Sequence, residues 1–161
     1  MLLLAVINLT ASAQVYLDSL YKQANSMLSA FKAGDHKTLL HYTHPNLIEY
    51  MGGSVKALEI LRMATETLET RKVNIKKAEM GKITQNVLYN KTIQCVIPQI
   101  MEMQVGETNA KSISYIFCIS YNEGKEWYFI NADKEKEKSL RNLIPGISDK
   151  IIIPESEVTY N

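Results

Sequence analysis

The stretch "HYTHPNLIEYMGG", residues 41–53, combines two of the three histidines with two tyrosines and a glutamate. Imidazole is the side chain best suited to proton transfer near neutral pH, and a tyrosine hydroxyl can assist it. His41, His44 and Tyr50 are therefore the candidates for an acid–base site. Catalysis would require an imidazole and a tyrosine hydroxyl to converge on one cavity.

Metal binding is the second chemistry that closely spaced histidines suggest. His41 and His44 are three residues apart, as helical metal-binding pairs can be, but Pro45 pushes His44 out of a helix. His36 and His41 are five apart and do not share a helix face. No cysteine or aspartate follows closely enough to complete a local set, so we predict no metal site and no cofactor.

Two helices should precede this corner. Apolar residues at spacings of three and four run from Leu17 to Phe31 and predict a first helix. Gly34 is a suitable stop for it, and Asp35 can cap a second, short helix over "HKTLLHY".

The corner itself should join that helix to a third one. Pro45 ends the second helix, "NLIEY" is predicted to be extended, and Gly52–Gly53 turns the chain. Ser54 then caps a helix that runs to about Thr70.

After Arg71 the hydrophobic period changes from about 3.6 to 2, which predicts strands. "KVNIKKAEMGKIT" reads as a strand with an irregularity near Lys76–Lys77. "TIQCVIPQIMEMQV" and "KSISYIFCISY" follow, and "NEGK" turns the chain into "EWYFINA" as a hairpin. The large apolar residues of the two long strands should share the inner face, and the serines should lie on the other.

This alignment sends Cys95 and Cys118 to opposite sides of the sheet. Two buried free thiols are then expected. A β-bulge near Pro98 would reverse the alternation and allow a disulfide, which stays open as the alternative.

Helices followed by antiparallel strands are typical of the α+β class. The first helix, the break at "AGDHKTLLHY", the "HPNLIEYMGG" corner and the hairpin through "EWYFINAD" resemble the NTF2-like superfamily, also called the SnoaL-like or cystatin-like cone fold. The resemblance implies a strongly curved antiparallel sheet that wraps the N-terminal helices and often encloses an apolar pocket. It places an NTF2-like domain at residues 14–144 and a C-terminal tail at residues 145–161.

The apolar face of that sheet predicts a ligand pocket, with ordinary core packing as the alternative. Its predicted lining residues are Tyr42, Met101, Met103, Tyr115, Phe117, Trp127 and Phe129. No aspartate or histidine falls in a predicted strand, so such a pocket offers few proton carriers. We therefore predict a non-catalytic module that binds a small apolar molecule or a protein partner.

Two other functions stay open. Family members include isomerases and dehydratases, so an enzyme of that kind would use His41 or His44 with a tyrosine. A homodimer through the outer face of the sheet is the third interpretation.

The N-terminal segment "MLLLAVINLTASAQ" indicates export. An apolar run followed by Ala11–Ser12–Ala13 predicts a signal peptide over residues 1–13, with cleavage before Gln14. The mature protein would then be periplasmic or secreted. No basic residue precedes the apolar run, so a buried first strand or helix stays open.

Charge and length exclude two further classes of partner. The apolar run is too short to span a bilayer, which predicts no integral membrane segment. With 18 Lys and Arg against 17 Asp and Glu, the net charge is +1, which gives no reason to expect nucleic acid.

Overall fold

The computed structural model describes the backbone of residues 5–160 and the side chains of residues 15–160. These residues form helices and an open, six-stranded antiparallel sheet, which confirms the predicted α+β class. The predicted signal segment, residues 1–13, and its cleavage site before Gln14 lie outside the residues whose side chains are described. Within the described chain, no helix combines the length and the hydropathy that crossing a bilayer requires.

Five α-helices are present in the described chain. They are α1 (Ala5–Ala33), α2 (His36–Tyr42), α3 (Pro45–Tyr50), α4 (Ser54–Thr70) and α5 (Glu137–Leu143), the last preceded by a 3-10 turn at Lys134–Lys136. Gly34, at φ +67°, follows α1 as predicted. Asp35 caps α2, because its carboxylate accepts hydrogen bonds from the Thr38 N–H at 3.1 Å and the Thr38 hydroxyl at 2.7 Å. Those hydrogen bonds also lower the pKa of Asp35.

The corner after α2 differs from the sequence-based prediction. "NLIEY" is helical rather than extended, because Pro45 starts α3 at its first position and His44 is the N-cap. Proline suits that position since its φ is already helical and its missing N–H would have no intrahelical partner. The predicted cap of α4 is also wrong. Gly53 occupies the N-cap position at φ +92°, and Ser54 is the first helical residue.

The sheet is built around two long strands. Its members are β1 (Val73–Met80), β2 (Gln85–Tyr89), β3 (Thr92–Val105), β4 (Thr108–Ser120), β5 (Tyr128–Ala132) and β6 (Glu157–Tyr160). Strands β3 and β4 pair along their whole length. Strands β1 and β2 share the outer edge of β3, while β5 and β6 share the outer edge of β4. The irregularity predicted near Lys76 is confirmed as a register shift between Ile75 and Lys77.

At the end of the sheet where β2 and β5 pair with the two long strands, both faces are covered by other elements. Each face has its own hydrophobic cluster there. The helix-facing cluster comprises Leu20, Ala24, Ile93, Cys95, Ile97, Ile116, Cys118, Trp127 and Phe129. The tail-facing cluster comprises Val96, Phe117, Ile119, Ile130, Ala132, Leu140, Ile144, Ile147, Ile151 and Ile153. The C-terminal tail therefore lies across the second face.

Polar side chains fix this tail to the sheet. Buried Gln94 donates to the Gly146 carbonyl at 2.8 Å and accepts from the Ser148 N–H at 2.9 Å. Arg141 donates to the Ile151 carbonyl at 2.6 Å and to Glu137 at 2.7 Å. These side chains thereby provide hydrogen-bond partners for backbone groups of the tail that do not pair with a strand.

Candidate functional site

His44 lies at the junction of α2 and α3 and is only 3% exposed. Its Nδ1 accepts the backbone N–H of Asn46 at 3.1 Å, so in the neutral ring the proton resides on Nε2. Nε2 lies 2.8 Å from the hydroxyl oxygen of Tyr121, to which it donates. Both ring nitrogens are thus engaged, one in capping a helix and one in joining that helix to the β4–β5 turn.

The surroundings of this pair favour the neutral form of each group, although Tyr121 is 51% exposed. Burial lowers the pKa of His44, and burial followed by the neighbouring Tyr128 raises the pKa of Tyr121. The His44 ring also meets Tyr128 edge-on, with centroids 5.5 Å apart. Both shifts move the pKa values of His44 and Tyr121 away from the neutral range, in which general acid–base catalysis is most efficient.

The other catalytic candidates lie elsewhere. His41 is exposed and contacts the ring of Tyr42 at 5.1 Å, while Tyr50 is 79% exposed. His36 lies 3.0 Å from the Thr65 hydroxyl through its Nε2. Among the described contacts, no hydrogen bond or ring contact joins any two of His41, His44 and Tyr50. The corner therefore brings His44 together with Tyr121, which the sequence-based analysis did not single out.

The side chains that commonly bind metal ions do not cluster in the described part of the chain. Within it, no group of three or more His, Cys, Asp or Glu side chains is arranged to hold a metal ion.

The seven predicted pocket residues divide between the two faces of the sheet. Trp127 and Phe129 belong to the helix-facing cluster, and Tyr42 packs against it with its ring 5.8 Å from that of Phe129. The β3–β4 register places half-buried Met101 and Met103 on this same face, farther along β3. Tyr115 and Phe117 lie on the opposite face, with the tail-facing cluster. Ligand binding by these residues stays a prediction.

The predicted alignment of the two long strands is wrong. Cys95 pairs directly with Cys118, and both belong to the helix-facing cluster, so their side chains lie on the same side of the sheet. The error arose because β4 is apolar on both faces, and its larger side chains were assigned to the inner one. Both thiols are free, as expected. Burial raises the pKa of Cys95 to about 12, and burial, followed by the neighbouring Cys95, raises the pKa of Cys118 well above its ordinary value.

Ser112 was missed by the sequence-based analysis, which assigned the β4 serines to the outer face. It lies opposite Met101 and is 8% exposed. Among the described residues, its Oγ is a fully shielded side-chain polar atom without a hydrogen-bond partner. The alternation in "KSISYIFCIS" was the available signal, since a strand covered on both faces buries its serines too.

Three open depressions are present on the surface of the described residues, and strand residues line none of them. They are lined mainly by polar and charged side chains of α1, α2, α4 and the segment from Lys134 to Asn142. None of them includes any of the seven predicted pocket residues.

Comparison with known proteins gives no relative from which a role could be transferred. The chain matches no protein-family model, no curated protein and no solved structure.

Proposed function

We propose that this chain is an exported, NTF2-like module that binds a small apolar ligand on the helix-facing side of its sheet and does not catalyse a reaction. The observation that carries the proposal is the engagement of both nitrogens of His44, at Asn46 and at Tyr121. The best-placed candidate for proton transfer is thereby already used by the fold.

The helix-facing side supports ligand binding rather than chemistry. Met101 and Met103 are half-buried there, and unbranched thioether side chains adapt their shape to different apolar partners. The strand residues that share this face beside them are Ile75, Ala78, Gln99, Val105, Ala110, Ser112 and Ser114, none of which carries a charge. An apolar surface with a few polar groups is the usual lining of a small-molecule site.

Native mass spectrometry of gently purified protein tests the proposal. We expect an adduct that disappears on denaturation and whose mass is that of a small organic molecule. Addition of apolar compounds to the emptied protein should raise its melting temperature. Protein that is always empty and that no apolar compound stabilises would contradict the proposal. A protein partner is the alternative occupant, and it would appear as a larger complex in the same spectra.

An isomerase- or dehydratase-type enzyme is the second candidate, favoured by the 2.8 Å contact between His44 and Tyr121. Catalysis through this pair needs the His44 ring to exchange protons while the protein stays folded. Titration of the imidazole signals by NMR decides between the two functions. A His44 signal that titrates near neutral pH in folded protein would favour the enzyme, and a signal that stays neutral until unfolding would favour the binding module.

Export is a separate part of the proposal and has its own test. The apolar run and Ala11–Ser12–Ala13 support cleavage before Gln14. N-terminal sequencing of protein recovered outside the cytoplasm should begin at Gln14, whereas an intact Met1 on that protein would contradict the signal peptide.

A homodimer through the sheet requires a free sheet face. On the tail-facing side, the end of the sheet beyond the tail exposes Glu102 and Lys111, which are cross-strand neighbours. Sedimentation at micromolar concentration tests this association, and a single monomeric species would exclude it.

A further inference from the structure

The hydroxyl group of Ser112 lowers the stability of the fold, because it is buried and no hydrogen bond compensates for its removal from water. Its Oγ is shielded from solvent and has no hydrogen-bond partner among the described residues. Leaving a buried polar group unpaired destabilises a fold, and an alanine would fill the position without that destabilisation. A buried unpaired group in a native fold therefore calls for an explanation, and a ligand that completes its hydrogen bonding is one.

The register fixes what surrounds this hydroxyl. Ser112 pairs with Met101 of β3 on one side and with Val158 of β6 on the other. Residues two positions apart share a strand face, so Met103 and Gln99 lie diagonally beside it. Ser112 thus has apolar side chains directly opposite it on both neighbouring strands and one polar side chain, Gln99, on a diagonal.

The nearest other polar groups on this face do not complete its hydrogen bonding. Ser114 donates to the side-chain oxygen of Gln99 at 3.3 Å, so these two groups satisfy each other. Ser112 is the next residue on the same face and stays outside this pair. The contrast between the two serines provides a matched control for any experiment on Ser112.

We infer that Ser112 anchors a small, neutral, largely apolar ligand that carries a single hydroxyl or carbonyl oxygen. This inference rests on the proposed function and names the ligand class of the same site. The ligand oxygen would bond to Oγ, and its apolar body would pack against Met101 and Met103. A charged ligand is disfavoured, since the strand neighbours that share this face supply no opposite charge.

Strand β6 lies on the route by which a ligand would reach Ser112. It has four residues, all exposed, and pairs only with β4 beside Ser112. Val158 is 55% exposed and lies directly opposite Ser112. Short, exposed edge strands open at low free energy, so a ligand can reach the hydroxyl when β6 separates transiently from β4.

Binding of naphthalene and of 2-naphthol, measured by fluorescence, tests the inference, because these probes share a shape and differ by one hydroxyl. We expect the unmodified protein to bind 2-naphthol more tightly. Ser112→Ala should bind 2-naphthol about tenfold more weakly and lose the preference, while naphthalene binding stays unchanged. Ser114→Ala should keep the preference. The melting temperature of Ser112→Ala without ligand should equal or exceed that of the unmodified protein.

The outcomes separate this inference from the proposed function. If both probes bind but Ser112→Ala keeps its preference for 2-naphthol, the anchor is wrong and the apolar site stands. If neither probe binds and native mass spectrometry also finds no ligand, both are wrong. A clearly lower melting temperature of ligand-free Ser112→Ala would show that Oγ has a structural partner, which would also overturn the inference.

Discussion

The Nε2 atom of His44 and the hydroxyl of Tyr121 lie 2.8 Å apart and join α3 to the turn between β4 and β5. The other ring nitrogen accepts the Asn46 N–H and so caps the helix. Protonation of His44 would turn that acceptor into a donor facing another N–H group. The arrangement therefore stabilises the neutral imidazole, in agreement with the lowered pKa that burial produces.

We predict that acid weakens the fold through His44. Because the folded pKa is lowered, the unfolded chain binds a proton more readily, and stability falls with pH below the unfolded value of about 6.5. The stability is fully present above that value and declines until the pH reaches the folded pKa. Thermal melts between pH 7.5 and 5.5 should show this decline. His44→Asn, which keeps a capping oxygen, should show a smaller dependence on pH.

His41→Asn is the control for this experiment, since His41 is exposed at the end of α2. It should retain the dependence on pH of the unmodified protein. Equal slopes for the unmodified protein and His44→Asn would contradict the role assigned to the buried ring.

Local signals in the sequence predicted much of the architecture. The apolar stripe ending at Phe31, the glycine at position 34 and the Asp35 cap located α1 and α2, because each depends on neighbours along the chain. The change to a period of two located the two long strands, and even the register shift near Lys76 was visible.

The parts that were missed depend on tertiary packing. "NLIEY" is too short to show a period, and His44 is an unusual N-cap, so the Pro45 signal for a helix start was read as a helix end. Both faces of β4 carry apolar residues, since the tail covers the second face. The sequence pattern therefore could not show which face of β4 lies against the helices. For the same reason, the sequence-based prediction placed Cys95 and Cys118 on opposite sides of the sheet and did not identify Ser112 as buried.

Cys95 and Cys118 should be inert in the folded protein. The reactive form of cysteine is the thiolate, and burial raises the pKa of Cys95 to about 12. We expect no reaction with Ellman's reagent over minutes in native protein and two reactive thiols after denaturation. Ser139→Cys, at an exposed position of α5, should add one fast thiol as a positive control. Rapid reaction of either native cysteine would contradict the burial of this pair.

Gly53 should contribute more to stability than its lack of side-chain contacts suggests. Its backbone, at φ +92° and ψ 173°, lies in a region that is essentially restricted to glycine. Gly53→Val should cost about 1–3 kcal/mol and lower the melting temperature by several degrees. Gly106→Asn is the control, since φ +62° is a conformation that asparagine tolerates. The prediction fails if both variants melt together with the unmodified protein.

Arg141 should hold the C-terminal tail on the sheet. Its guanidinium donates to the Ile151 carbonyl at 2.6 Å and pairs with Glu137. Arg141→Met removes these charged hydrogen bonds, and we expect a loss of about 1.5–3 kcal/mol in denaturant unfolding. Amide hydrogen exchange should also accelerate in residues 144–153. Arg62→Met, which breaks an exposed pair with Glu66, should cost no more than about 0.5 kcal/mol. Similar losses in both variants would show that the tail does not depend on Arg141.

Trp127 should be among the side chains whose truncation costs the fold most. It is 1% exposed in the helix-facing cluster, and its indole N–H donates to the Gly124 carbonyl at 3.0 Å. Trp127→Ala should lose about 3–5 kcal/mol in denaturant melts followed by circular dichroism, because it removes a large buried side chain and leaves a cavity. Trp127→Phe retains most of the apolar volume and should lose clearly less, about the value of the hydrogen bond and a smaller void. A loss within about 0.5 kcal/mol for Trp127→Ala would place the indole at the surface and contradict the helix-facing cluster itself.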